Sequence, residues 1–385
     1  MSEKESHNAV HFSGEHPDWW DPYSCQPYKM SDVDKPRSGQ GHLLEYAKVG
    51  AAALLGLPAI AYQFLKLRKT PANISAKDFV GLSINADKPH RSATHEMVQD
   101  LGVQELLLRV PSWEIHKLDD YAKYIESFKQ QNVLVNILQS RDSVKDVSAW
   151  QAEVRLIIEN LQEVTQTFWI GNAINRTKWG CAHTGHYFEL QEAVEKLRSD
   201  FPTVKLLGSS IIDFEPLLSW RTLWNARKYH LDGTAALLYV NRRFSPFGRQ
   251  YKIFDLENKI RLAKVMTKLS NRSDDKLWIP ETNWPLLDTK PFTPNSGSPS
   301  RTCDESTQAE FLKLYYQIAW QTGWVEKVYW WQLINPGYGL VDSRDGLRKM
   351  PSYTAFKELF REGELGKPII HPKSGFKQSL DLNKV

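Results

Sequence analysis

Eight short apolar runs, spread over residues 79–335, constrain this chain more than any other feature. They read FVGLSIN (79–85), ELLLRVPSW (105–113), NVLVNILQS (132–140), TFWIGNAIN (167–175), KLLGSSIIDF (205–214), TAALLYVNR (234–242), LWIPETNW (277–284) and KVYWWQLIN (327–335). Near-continuous apolar runs rich in β-branched residues are the pattern of strands buried on both faces of a parallel sheet. Between them lie stretches with helical spacing, among them LDDYAKYIESFKQ, AEVRLIIENLQEV, YFELQEAVEKLRSDF, LENKIRLAKVMTKLS and STQAEFLKLYYQIAWQTG. Eight strand–helix repeats over roughly 250–280 residues match a (β/α)8 TIM barrel, an α/β fold, in count and length. A doubly wound open sheet competes poorly. No G-x-G-x-x-G follows the first run and no phosphate-binding loop motif occurs.

The expected organisation is a barrel over 75–365, preceded by a flexible, aromatic-containing tail (1–45) and a short apolar helix (46–70), and followed by a C-terminal tail (366–385). Within the first tail, HPDWWDPYSCQPY carries more aromatics than solubility requires, which predicts docking on the barrel or on a partner. Val49 to Tyr62 contains no charge, but 14 residues fall short of the roughly 20 that a spanning helix needs. It reads as a helix packed on the barrel or lying at a membrane surface through 49–65. Lys66, Arg68 and Lys69 follow, placing the barrel on the cytoplasmic side by the positive-inside rule. Three scattered cysteines form no zinc pattern and no closed disulfide framework, so a reducing compartment is expected. No secretory signal opens the chain, and the localisation expected is cytoplasmic, at the inner face of the membrane. A net charge of +4 without a long basic block gives nucleic acid no support as a partner.

In such barrels, functional groups lie at the C-terminal ends of the strands. Those ends offer Arg109 and Trp113, then Asn172, Asn175 and Arg176, then Asp213 and Glu215, and Tyr239 with Asn241. The seventh and eighth add Glu281, Asn283 and Trp284, and Trp330 with Trp331. Carboxamides and arginines bind hydroxyls and indoles stack on sugar faces, so the expected partner is a carbohydrate or glycoconjugate. Trp330 and Trp331 are strand neighbours, so one of them must face the core. No residues show metal-ligand spacing, and no metal or cofactor is expected.

IGNAINRTKWG at the fourth strand and WIPETNWP at the seventh resemble clan A retaining glycoside hydrolases, most closely the family 39, β-xylosidase-like type. VYWWQLINPGYGLVDSRDGLRKMPSYTAFKEL is similar to the last barrel unit of those enzymes, and the resemblance covers about 79–361. It implies that Glu281 is the catalytic nucleophile, paired with Arg109 through a charge-assisted hydrogen bond and assisted by Tyr239. It implies that Asn172 contacts the hydroxyl beside the anomeric carbon and that Trp330 or Trp331 forms the sugar-stacking floor. One position departs. The residue after that asparagine is the acid/base glutamate in the family, and here it is Ala173. A retaining site needs two carboxyl groups roughly 5–5.5 Å apart. The expectation is therefore a glycoside hydrolase with an altered acid/base, or a carbohydrate-binding pseudoenzyme acting in envelope polysaccharide metabolism. Glu215, Asp213, Glu114 and Asp142 are candidates for a relocated acid.

Overall fold

The computed structural model describes residues 16–31, 40–86, 88–293 and 301–370. The eight apolar runs become β1 (Val80–Ile84), β2 (Glu105–Pro111), β3 (Asn132–Leu138), β4 (Thr167–Ile170), β5 (Lys205–Ile212), β6 (Gly233–Leu237), β7 (Leu277–Thr282) and β8 (Val325–Trp330). Each pairs in parallel with the next, and β8 closes the barrel on β1 with Val328 opposite Val80. A helix α1 (Gln40–Lys66) precedes the barrel. One helix then follows each strand: α2 (Arg91–Leu101), α3 (Leu118–Glu126), α4 (Val147–Leu161), α5 (Thr184–Glu195), α6 (Pro216–Leu223), α7 (Leu256–Lys268), α8 (Glu305–Thr322) and α9 (Pro351–Glu358). The (β/α)8 expectation holds.

Local chemistry explains where several helices start. Asp146, Asp255 and Asp304 accept hydrogen bonds from backbone N–H groups of the first turns of α4, α7 and α8. Pro216 and Pro351 open α6 and α9, where a missing N–H costs nothing. Alternation along the strands then divides the apolar side chains. One set packs between the sheet and the helices; another, with Leu107, Leu134, Trp169, Leu207, Tyr329 and Trp331, fills the barrel interior.

The expected flexible tail is corrected in two respects. Residues 16–31 are docked across the C-terminal mouth of the barrel, with an antiparallel pair of two-residue strands, Trp20–Asp21 and Gln26–Pro27. Aromatic burial drives this. Trp20 is only 8% exposed and its ring lies 5.2 Å from Trp113 and 5.9 Å from Trp179. The apolar helix also begins earlier than expected, at Gln40. The remainder of the tail (1–15 and 32–39), residues 294–300 of the loop after β7, and 371–385 of the C-terminal tail lie outside the described residues.

One stripe of α1 faces the barrel: Glu45, Val49, Ala52 and Gly56 are buried, and Ile60 and Phe64 pack against the core. These steps of three and four residues define a single helix face. Gly56 is there for close approach, since a Cβ would meet the Trp220 indole of α6 at 2.3–2.7 Å. The same indole donates to the Ala52 carbonyl at 2.8 Å. Glu45 pairs with Arg221 of α6 at 3.4 Å, and beyond the helix Lys69 pairs with Glu257 of α7 at 2.6 Å. The opposite face exposes Leu43, Leu44, Leu54, Leu55, Leu57 and Leu65. By length and composition, residues 42–66 could also cross a membrane.

Candidate active site

At the C-terminal mouth of the barrel lies a cavity of about 220 Å³, lined by the ends of β2 and β4–β8 and by Ser24, Cys25 and Gln26 of the docked segment. Glu281, at the end of β7, sits in its wall with 5% exposure. Arg109 Nη2 reaches Glu281 Oε2 at 2.5 Å, and the Tyr239 hydroxyl donates to Oε1. Both carboxylate oxygens are thereby fixed by groups from different strands. Burial first, and the Glu281 charge second, push the Tyr239 phenol well above 10, so it remains a proton-bearing donor. Arg109 is itself positioned twice: its guanidinium stacks 3.4 Å above the Trp331 ring, and Nη1 donates to the Cys25 carbonyl at 3.0 Å.

The β4 end is built differently. Gly171 takes φ +75°, a left-handed turn that glycine enters without a Cβ penalty, and Ala173 follows at φ +45°. Gln139 clamps the turn, accepting from Asn172 N and donating to Asn172 O, both at 2.8 Å. The turn aims Asn172 into the cavity wall. Ala173 also lines the cavity, but it is 1% exposed and clusters with Trp20, Trp179 and Leu138. Two of the three residues that share its cluster are indoles.

None of the four candidates for a relocated acid is a spare proton donor. Burial alone would raise the Asp213 carboxyl, but Arg243, Arg176 and Lys259 outweigh it and hold the group below the usual range. Glu215 pairs with Arg176 at 2.5 Å. Glu114 lies outside the cavity; burial would raise it, but His16, Tyr121 and Lys117 hold it ionised. Asp142 is on the surface beside Lys145 at 2.7 Å.

Of the residues expected at the site, Glu281, Arg109, Asn172, Ala173, Arg176, Tyr239, Asn283 and Trp331 line this one cavity. Three are corrected. Trp284 and Trp330 are fully buried and stacked on each other at 6.1 Å, between the barrel and α8, so they contact core residues and line no cavity wall. Pleat alternation explains both: with Glu281 and Asn283 inward, Trp284 points outward, and with Trp331 inward, Trp330 does too. Asn175 ties the loop after β4 to the end of β5, donating to Ile212 O and accepting from Ile212 N, each at 2.9 Å. Sequence reasoning did not single out Lys178, Trp179, Arg243 and Tyr338, nor the lining by 24–26. Lys178 and Trp179 sat in plain view inside IGNAINRTKWG, and the aromatic run at 16–28 signalled docking without giving its place.

At the opposite rim, His230, Asp232 and Asp274 bring potential metal-ligand atoms within 4.8 Å of one another, a grouping that sequence spacing did not reveal. Their carboxylates are already engaged, Asp232 by Arg198 at 3.1 Å and Asp274 by His230 at 3.0 Å. This geometry is that of a surface ion-pair network.

No family model matches the sequence, and no curated protein matches it. Solved structures do match in fold. A GH30 endoxylanase from Clostridium papyrosolvens superposes with a TM-score of 0.51 at 10% identity, covering 77% of this chain and 74% of its own. A β-glucosidase from Thermotoga maritima gives 0.52 at 10% identity, covering 76% and 98%. Cel5A of the same organism, solved with mannotriose, gives 0.52 at 12% identity, covering 76% and 99%. The chain shares the (β/α)8 barrel of clan A glycoside hydrolases. At such identities the likeness is one of fold.

Proposed function

We propose that this protein acts on a glycan or glycoconjugate through a retaining-type site in which Glu281 is the nucleophile and the acid/base position, Ala173, is altered. The observation that carries this reading is the Glu281 carboxylate, held at both oxygens by Arg109 and Tyr239 in the wall of a cavity at the catalytic end of the barrel. Asn172 Oδ1 and Asn283 Oδ1 are buried there without a hydrogen-bond partner among the described residues, a shape of need that sugar hydroxyls satisfy. Attack by Glu281 on the anomeric carbon would form a glycosyl–enzyme ester and expel the leaving group. With no carboxylic acid at 173 to protonate that group, a contribution of about 10²–10⁴-fold is missing. Activated leaving groups need no such help. A panel of activated fluoroglycosides followed by intact mass spectrometry tests the reading. A covalent sugar adduct on Glu281 supports it, while a bound but never attached sugar excludes the nucleophile role.

The packing of Trp20 and Trp179 over Ala173 supports a second reading, a binding protein without turnover, partnered to envelope polysaccharide metabolism. In either case we propose that the exposed leucine face of α1 rests on the inner membrane surface, with Lys66, Arg68 and Lys69 near anionic headgroups. Co-sedimentation with anionic vesicles, lost on replacing Leu54, Leu55 and Leu57 by Ser, tests this placement.

A further inference from the structure

The cavity carries more positive charge than its own carboxylates use. Arg109, Arg176, Lys178 and Arg243 line it against Glu281 and Asp213. Adding the charged groups just behind the wall, Arg141 and Lys259 with Asp21 and Glu215, leaves the excess of two cations unchanged. The pairing shows which cations are surplus. Arg109 is matched by Glu281 at 2.5 Å, and Arg176 is matched twice, by Asp213 at 2.7 Å and Glu215 at 2.5 Å. Lys178 has no carboxylate within 4.0 Å among the described residues; its ammonium donates to the neutral side-chain oxygen of Gln26. The Arg243 guanidinium lies 3.3 Å over the Tyr239 ring and pairs with Asp213 at 3.8 Å, so that it shares with Arg176 a single carboxylate.

Two independent features mark these groups as placed for something else. Burial pulls the Lys178 ammonium down to about 8, only partly offset by Asp21 and Glu281, which is the signature of a desolvated cation lacking its partner. The backbone is also strained where the wall turns. Cys25, Ala173, Asp213 and Arg243 are four of the nine non-glycine residues with positive φ among the described residues, and all four line this cavity. Such conformations cost of the order of 1–3 kcal/mol each and concentrate where a ligand must be met.

We infer that the glycan received by this cavity is acidic, and that Lys178 and Arg243 supply the counter-charge for its carboxylate, sulfate or phosphate group. The inference rests on the glycan reading above and narrows it to a substrate class. An anion between these cations restores the pairing that the wall lacks, while Asn172 and Asn283 meet hydroxyls of the same ring. The modest cavity, below the roughly 300–1,000 Å³ of drug-sized ligand sites, suits one terminal sugar ring rather than a long chain.

Matched sugar pairs test this on the full chain, with binding read by isothermal titration calorimetry: glucose against glucuronate, galactose against galacturonate, and glucose against its 6-sulfate and 6-phosphate. The expected result is at least tenfold tighter binding of one acidic member than of its neutral partner at low salt, shrinking as salt is raised. Lys178→Met and Arg243→Met close that gap, while Lys178→Arg keeps most of it, with thermal melts verifying that each variant is folded. Whether the uronates or the sulfate and phosphate esters win identifies the anion. Equal or tighter binding of the neutral partners overturns the acidic assignment and leaves the glycan reading standing. Inorganic sulfate binding as tightly as any sugar acid overturns it too, as does an acidic preference that survives both Met variants. If no sugar of either kind binds, both the inference and the glycan reading fall.

Discussion

The two sides of the cavity wall are built on different physical principles. On the β7 side, Glu281 is gripped at both oxygens by donors from β2 and from just past β6. On the β4 side, the Ala173 methyl has nothing to donate or accept and clusters with Trp20, Trp179 and Leu138. One side is a polar device in which both oxygens of the carboxylate are matched. The other is a small apolar seam that seats the N-terminal segment.

The largest expected effect breaks the polar side. Glu281→Ala leaves Arg109 buried without its partner, and such losses cost about 3–5 kcal/mol. Urea unfolding should show a drop of that size, and Glu281→Gln, which retains an oxygen acceptor, a smaller one. An unchanged midpoint for Glu281→Ala would mean that the pair is not closed in solution. Next comes Tyr239→Phe, which deletes one donor to a carboxylate and should cost about 1.5–3 kcal/mol by the same measurement. It should also weaken fluoroglycoside labelling without moving the label from Glu281.

The apolar side is tested by Ala173→Glu. Overpacking against Trp20 and Trp179 should cost about 1–3 kcal/mol and give no hydrolysis. Combining it with Trp20→Ala should relieve part of that cost, and any gain in turnover of poor leaving groups should appear only in the double variant. Gain in the single variant would show that the seam yields easily and that the two sides are less different than their packing indicates.

The smallest effect is electrostatic. Lys178 and Lys259 both have their ammonium groups pulled down to about 8, below the ordinary lysine value, chiefly by burial. Between that value and the ordinary one each of these lysines binds more protons in the unfolded chain than in the folded one, so the pair adds stability as pH rises from about 8, until from about 9 upward Cys181 and Cys303, whose thiols burial pushes up to about 12, act in the opposite sense. Below 8 both states are protonated and the slope vanishes. Lys178→Met should flatten the rise, as followed by urea unfolding across the window, because only Lys259 then contributes.

The barrel was legible because a parallel sheet buried on both faces leaves little choice of residue, and eight such runs admit few arrangements. The polar side of the site was legible for a related reason: Arg109, Tyr239, Asn283 and Glu281 all stand at strand ends, where position in the run predicts position in space. Trp284 was placed wrongly by residue type, since an indole looks like a sugar platform until pleat parity turns it outward, whereas for Trp330 and Trp331 parity already required one indole to face the core, and it is Trp330. The apolar side could not be read in advance. Its shape depends on Trp20, about 150 residues upstream of Ala173 and outside the repeating pattern, and no local rule specifies such a long-range contact.

Arg109 gives one arm to Glu281 and the other to the backbone carbonyl of Cys25. If that shared guanidinium couples the two, an interaction that shifts the carboxylate alters the hold on the N-terminal segment by the same free energy as the converse. A molecule that captures residues 16–31 elsewhere would then loosen the setting of Glu281 without entering the barrel. The mouth of this protein can in that sense be addressed from its own amino-terminal side, through a single guanidinium that answers to both.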